Sequence, residues 1–247
     1  MRIIHRNIVL NYCKEPSTSL IIYYLSFILY YFIVPVAPAT AQPLMREVFA
    51  SMPDSVLPLV TKNNRLDCID FIENNMDARV RNKVDEYVVL EALTEDYARF
   101  RTSASAVMEL KLLPLSDSTS VLCVVTTAEA GVKESSSYLE DSNIRFLSSS
   151  WAPLPTGTPS LVQTVERVRD SEAFFVDEVP DSLQESYSQA RSSLRSFHTV
   201  RMALSPDDYV LTLTLQPGYL ASEEKKAVKG RLRTIRMVWT TQGFVEE

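Results

Sequence analysis

The spacing of apolar residues after position 42 predicts a small layer of helices. Apolar residues recur at intervals of three and four from Leu44 onwards, and Pro53 ends this run. The predicted helices are one over 44–52, a short one over 54–60 capped by Asp54, and a third capped by Asn63 or Asn64. The inward face of the third helix is expected to contain Ile69, Ile72 and Met76.

The pattern then changes from a helical period to alternation, which predicts strands. The predicted strands are rich in β-branched and aliphatic residues and lie over 79–84, 87–93, 107–115, 120–127, 135–139 and 144–147. Turn-forming residues from Leu115 to Thr119 join two of them into a hairpin. This part of the chain therefore indicates an antiparallel meander that ends near Trp151.

A run rich in serine and proline separates this meander from the rest of the chain. The run covers 148–160 and cannot form a helix or a central strand, so we place a linker over 151–160. The clearest helix of the chain follows, with Asp181 and Gln184 in a capping-box arrangement. Its apolar stripe consists of Leu183, Tyr187, Ala190 and Leu194. The later elements are strands over 199–204, 209–216 and 234–240, a short helix over 222–229, and a hairpin at Gly243.

The two halves of the sequence contain similar patterns. The predicted hairpin over 108–127 resembles the one over 200–215, and each is later followed by an Ile-Arg strand and a tryptophan. Duplication of one unit would explain this similarity, and so would convergence of two unrelated hairpins. The sequence predicts an α+β fold, with N-terminal helices packed on a mainly antiparallel sheet and with subdomains over 42–150 and 161–247 that could be two similar α+β lobes.

Residues 1–41 have the layout of a cleavable signal peptide. Three basic residues precede an uncharged run over 20–36, and Ala39 and Ala41 are the small residues that a signal peptidase requires, so we expect cleavage after Ala41. The alternative is an uncleaved anchor, because the run approaches the roughly 17 to 25 residues that span a bilayer. No cysteine lies directly after the run, and the nearest, Cys13, lies before it, so a lipoprotein is not expected. The mature chain is expected in the periplasm or cell envelope, without a membrane span.

Charge and composition limit the classes of molecule that the mature chain is expected to bind. Cleavage would remove three basic and one acidic side chain and lower the formal charge from −6 to −8. The net negative charge of the mature chain disfavours binding to nucleic acid. The remaining partner classes are an envelope protein and a small ligand. The five glycines are isolated and form no phosphate-binding loop. No cofactor is therefore predicted.

Few residues could carry catalysis or a crosslink in the mature chain. Only His198 remains after cleavage, so a two-histidine metal site is excluded and any catalytic triad must use this residue as its base. A packed or helix-terminal histidine is the simpler interpretation. Cys68 and Cys123 could form a disulfide in an oxidising compartment, but each lies in an apolar element that also suits a buried thiol.

Four acidic residues form the group of charges that most resembles a functional site. They are Asp67, Asp70, Glu73 and Asp77. Helical spacing places them near one another, where they could bind Ca²⁺ or act as a glycosidase acid and base. A solvated helix face is the alternative interpretation. The sequence therefore assigns no catalytic or metal residue and retains these four acids and His198 as candidates only.

Two long stretches carry a resemblance to a known family. They run from Met52 to Phe71 and from Met108 to Thr127. They resemble an uncharacterised domain-of-unknown-function family of small exported proteins from Bacteroidetes of the gut and mouth. The resemblance implies export and an α+β fold, and it transfers no catalytic residue.

These observations favour a non-catalytic envelope protein that binds another molecule. Export and the missing catalytic motifs point in this direction. The alternative is a periplasmic hydrolase that uses the carboxylates or His198.

Overall fold

The computed structural model describes residues 43–116, 119–133, 135, 137–154, 161–177 and 184–247. These residues form two antiparallel sheets. The first has six strands in sequential order: β1 (Arg79–Arg81), β2 (Tyr87–Leu93), β3 (Tyr97–Ser103), β4 (Ala106–Ser116), β5 (Thr119–Ala130) and β6 (Leu139–Ser148). The second has four strands in the order β10-β9-β8-β7: β7 (Thr199–Leu204), β8 (Val210–Gln216), β9 (Ile235–Thr240) and β10 (Gly243–Glu246).

Five α-helices accompany the sheets in the described part of the chain. They are α1 (Met45–Ala50), α2 (Lys62–Glu73), α3 (Gln163–Arg169), α4 (Gln184–Ser196) and α5 (Ser222–Val228), with a 3₁₀ turn at Glu172–Phe174. This arrangement confirms the predicted α+β class. It also places helices before and between strands that are antiparallel throughout.

The six-stranded sheet separates two hydrophobic cores, because successive side chains of a strand point to opposite faces. On one face, Phe100, Leu110 and Val124 pack with α1 and α2. A T-shaped contact between Phe49 of α1 and Phe100, with ring centroids 5.2 Å apart, belongs to this first core. Burying such aromatic side chains is the main favourable contribution to holding short helices on a sheet.

The second core lies on the opposite face. There Leu113, Cys123 and Phe146 of the first sheet pack against the second sheet and against α3, α4 and α5. The apolar stripe predicted for α4 is confirmed, since Tyr187, Ala190 and Leu194 are all buried in this core.

The register of the strands agrees with this division. β4 and β5 pair over most of their length, with Leu110 opposite Val124 in the first core and Leu113 opposite Val121 in the second. β5 and β6 pair without interruption from Ala130 opposite Leu139 to Val121 opposite Ser148. A slip of one residue would exchange the two faces, so this register is strongly specified.

Several predicted boundaries in the helical layer are wrong. Residues 54–60 form turns rather than a second helix. The cap of α2 is Thr61, whose hydroxyl accepts from the backbone N–H of Asn64 while the Asn64 side chain accepts from the Thr61 N–H. Asn64 is therefore the reciprocal partner in a capping box. Met76 lies beyond the helix and is exposed rather than inward-facing.

Two elements of the chain, a strand and a helix, were missed. β3 was not predicted, because Arg99 and Arg101 interrupt its apolar pattern, and α3 was not predicted either. The strand expected over 135–139 is wrong, because the described residues 135, 137 and 138 lie outside any strand. One strand, β6, begins at Leu139 and covers the strand expected over 144–147. Pairing with β5 over ten residues accounts for this continuity.

The second half follows its predictions more closely. The strands at 199–204, 210–216 and 235–240, the short helix and the final hairpin all form within one residue of their predicted limits. Gly230 follows Lys229, the C-cap of α5, and has φ +72°, the left-handed conformation expected where a glycine ends a helix. Asp181 and Leu183 lie outside the described residues, as do 155–160 and the signal sequence, so the linker, the subdomain boundaries and the cleavage site stay predictions.

Candidate functional site

The four predicted acidic candidates lie on or beside α2 and do not converge. All four side chains are exposed. Glu73 pairs with Arg46 at 2.6 Å, Asp77 pairs with Arg79 at 3.4 Å, and Asp70 accepts from the side chain of Asn74 at 3.3 Å. No group of three or more His, Cys, Asp or Glu side chains suited to a metal ion occurs in the described part of the chain. The geometry matches a solvated helix face.

His198 lies between two backbone carbonyls. Its Nδ1 is 2.9 Å from the oxygen of Leu194, and its Nε2 is 2.7 Å from the oxygen of Arg169. The ring precedes β7 and follows the end of α4, so it is a helix-terminal histidine. A general base needs a ring nitrogen directed at a nucleophile or a water, and both nitrogens here face carbonyl oxygens.

The two cysteines are free thiols and are both buried. Cys68 of α2 belongs to the first core, and Cys123 of β5 belongs to the second. The sheet lies between the two cores, so the geometry favours buried thiols over the disulfide alternative. Burial raises the pKa of Cys68 to about 12 and raises the pKa of Cys123 well above its usual value.

An opening lies at the end of the six-stranded sheet that carries the β2–β3 turn. We call it the end groove, a space of about 540 Å³ lined by Pro43, Leu44, Thr94, Glu95, Asp96, Leu112, Pro206, Asp207 and Tyr209. An adjoining recess of about 350 Å³ is lined by Leu44, Arg46, Ile72, Glu73, Leu93, Thr94 and Glu95. The two spaces share three lining residues, so they form one continuous surface of apolar and acidic groups, in which the basic side chain of Arg46 is paired with Glu73.

Two turns that are distant in the sequence form the walls of the end groove. In the β2–β3 turn, the Thr94 hydroxyl accepts from the backbone N–H of Tyr97. In the β7–β8 turn, the Ser205 hydroxyl accepts from the N–H of Asp207. The chain that leads into α1 is tied to the first turn, because the Met45 N–H donates to the Glu95 oxygen at 2.7 Å. These local bonds fix the groove's backbone.

A buried lysine joins the two turns beneath the groove. The Lys111 side chain is only 1% exposed. Its ammonium lies 3.0 Å from a carboxylate oxygen of Asp96 and donates to the Pro206 oxygen at 2.9 Å. The same group lies 5.8 Å from the ring centroid of Tyr97 and 5.4 Å from that of Tyr209. A charge this buried requires such partners, and they link the first sheet to the second.

A ladder of charged side chains crosses β2 to β5 on the same face as Lys111. Arg99 pairs with Glu91 at 2.7 Å and with Glu109 at 2.8 Å, and Arg101 pairs with Glu91 at 2.9 Å and with Glu129 at 3.2 Å. Burial raises the pKa of Glu129, but the hydrogen bonds and charge of Arg101 outweigh it and leave that pKa below its usual value. The ladder is internally paired and therefore stabilises the sheet's polar region.

Comparison with known proteins agrees with the α+β fold and with the resemblance to a domain-of-unknown-function family that occurs in Bacteroidetes. A family model described as "Protein of unknown function (DUF3256)" matches residues 38–244. The chain belongs to the DUF3256 family. A solved structure described as that of a domain of an uncharacterized protein from Porphyromonas gingivalis W83, a Bacteroidetes species, is similar to this DUF3256 chain at 25% identity. That likeness covers 82% of this chain and 98% of the other, with a TM-score of 0.62. No curated protein matches the DUF3256 chain.

The residues of the end groove were missed from the sequence. One signal was available, because Lys111 is a lone cation within the apolar run Leu110–Leu113. A charge at an interior strand position indicates a buried polar contact. The identity of its partners could not be read, since Asp96 and Pro206 are separated by more than a hundred residues.

Proposed function

We propose that this chain is an exported, non-catalytic binding module whose end groove takes a peptide segment that carries both cationic and apolar side chains. The observation that supports this most directly is the lining of the groove. Carboxylates at Glu95, Asp96 and Asp207 surround apolar side chains and an exposed tyrosine ring. The partner would be a basic segment of another envelope protein.

The charges of the groove favour a cation. Lys111 is the positive group at its base, and its charge is already paired with Asp96. Glu95 and Asp207 are exposed at the rim, so an incoming lysine or arginine would meet net negative charge. Tyr209 is 41% exposed and offers a ring face to a cationic or apolar side chain. Leu44, 47% exposed, extends the apolar surface toward the adjoining recess.

The described geometry gives the hydrolase alternative no support. The carboxylates of α2 point to solvent along one helix, and both ring nitrogens of His198 contact backbone carbonyl oxygens.

Among the described helices none is long and apolar enough to cross a membrane.

Binding of model peptides to the purified chain tests the proposed groove. A short peptide of alternating lysine and leucine is expected to bind, and the matched peptide with glutamate in place of lysine is not. Asp207→Asn should weaken binding of the lysine peptide about twofold to fivefold, the effect of one exposed charge pair. Asp67→Asn removes an equal charge from the exposed face of α2 and serves as the matched control.

Two results would contradict the groove as the binding site. One is equal binding of the lysine and glutamate peptides, and the other is equal weakening by Asp67→Asn and Asp207→Asn. Added salt should weaken true groove binding, because exposed charge pairs are screened at about 0.15 M ionic strength.

Export is tested separately by sequencing the N-terminus of the protein recovered from the envelope fraction of expressing cells. A start at Gln42 or a close neighbour supports the proposal. Recovery of an intact Met1 terminus would contradict it.

A further inference from the structure

The exposed tyrosine of the end groove lacks the guanidinium groups that cover a second tyrosine of similar exposure. Tyr87 is 47% exposed, and the guanidinium carbons of Arg79 and Arg81 lie 5.2 Å and 4.6 Å from its ring centroid. Tyr209 is 41% exposed, and the one cation that the described residues place over its ring is that of Lys111, at 5.4 Å. The Lys111 side chain is 1% exposed and therefore lies on the buried side of this ring. The side that faces the groove has no cation from the described part of the chain.

Two carboxylates that line the groove with this ring are also unpaired. Glu95 and Asp207 are exposed, and neither side chain forms a hydrogen bond or an ion pair with another described residue. The adjoining recess contains such a pair, because Glu73 there accepts from two nitrogens of Arg46, at 2.6 Å and 3.4 Å. A ring without a guanidinium and carboxylates without a cation therefore meet in one groove of about 540 Å³.

The shape of an arginine side chain matches this combination better than that of lysine. A guanidinium is planar, so its face can stack on an aromatic ring while N–H groups at its edge donate to a carboxylate. A lysine ammonium is a compact, strongly hydrated charge without such a face. Asp207 precedes Tyr209 by two residues in the β7–β8 turn, which places a carboxylate and the ring on the same short segment. One guanidinium can therefore contact both.

We propose that Tyr209 makes the end groove selective for arginine over lysine. The guanidinium of a partner arginine stacks on the groove side of the Tyr209 ring and donates to Asp207 or Glu95. The aliphatic stem of the arginine packs against Leu44, which is 47% exposed on the same surface. This inference rests on the proposed binding function and names the cationic residue of the peptide segment.

Two peptides that differ only in their cationic residue test the selectivity. One alternates lysine with leucine, the other alternates arginine with leucine, and both are titrated into the purified chain. The arginine peptide is expected to bind about twofold to fivefold more tightly, the effect of a cation–π contact at an exposed site. Tyr209→Leu should bring this ratio close to one, whereas Tyr209→Phe keeps a ring and should keep the preference. Tyr87→Leu removes a tyrosine of similar exposure outside the groove and should leave the ratio unchanged.

Equal affinities of the wild-type chain for the two peptides would overturn the proposal. This comparison needs no variant, so the test remains valid if Tyr209→Leu does not fold. A ratio that survives Tyr209→Leu, or that Tyr209→Phe or Tyr87→Leu abolishes, would also overturn it. Failure of the binding function itself gives a different result, in which neither cationic peptide binds more tightly than the glutamate peptide, and that result would overturn both proposals.

Discussion

Replacing Lys111 by methionine is the sharpest test of how the two sheets are held together. Methionine keeps an unbranched stem of similar length but removes the ammonium. The change breaks the 2.9 Å hydrogen bond to the Pro206 oxygen and the 3.0 Å pair with Asp96. It also leaves a carbonyl and a carboxylate without their cation at the junction of the two turns.

The expected loss can be worked from these contacts. A hydrogen bond that involves a charged group contributes about 1.5–3 kcal/mol. Removing one partner of a fully buried ion pair costs about 3–5 kcal/mol, but Asp96 is 33% exposed and can regain water after the change. Methionine carries no charge, so the variant avoids the cost of removing an ammonium from water on folding, which offsets part of the loss. We therefore expect a free energy of unfolding lower by about 2 kcal/mol, which corresponds to a Tm lower by about 4–8 °C for a domain of this size.

Urea unfolding measures this difference, with Lys133→Met as the control. Lys133 also pairs with a glutamate, Glu129 at 3.4 Å, but is 57% exposed, so its loss should change stability by less than about 0.5 kcal/mol. A double-mutant cycle of Lys111→Met with Asp96→Asn isolates the pair. If Lys111→Met is as stable as the wild type or more stable, desolvation of the ammonium cancels its contacts and the reasoning is refuted.

Two further substitutions and one labelling experiment probe the fold. Arg65→Met should lower the free energy of unfolding by about 3 kcal/mol in urea melts, because its buried guanidinium donates to the oxygens of Val60 and Met52, and an unchanged midpoint would contradict this. Gly218→Ala should lower the Tm by several degrees, since a Cβ there would lie 2.5 Å from the Tyr138 oxygen, and no change would indicate that the loop relaxes. The thiols with raised pKa values should react with a disulfide reagent at about pH 8 only after denaturation, and rapid labelling of the native chain would show that they are accessible.

The elements that the sequence predicts best are those whose apolar pattern depends only on the residues within the element. β2 and β7 form at their predicted limits, since each alternates or runs apolar between clear turns. α4 follows its apolar stripe for the same reason. β3 was missed because Arg99 and Arg101 place charge on a strand face that other strands neutralise. That compensation comes from residues remote in the sequence, so no local window contains it.

The candidate site was predicted less well, for a related reason. Spacing along one helix drew attention to the acids of α2, but spacing alone gives adjacency and not a cleft. The end groove is formed by Thr94–Asp96 and Pro206–Tyr209, which meet only because the second sheet packs on the first. Lys111 was visible as an odd charge in an apolar strand, whereas its partners depend on tertiary packing.

The division into two cores gives the chain a separate optical reporter for each. The chain has two tryptophans, Trp151 in the first core and Trp239 in the second. Each indole N–H donates at 2.8 Å to a carbonyl, Trp151 to that of Val48 and Trp239 to that of Pro114. Single Trp→Phe variants would therefore let intrinsic fluorescence follow one core at a time. Coincident transitions would mean that the sheet transmits unfolding from one face to the other, and separate transitions would give the stability of each layer directly.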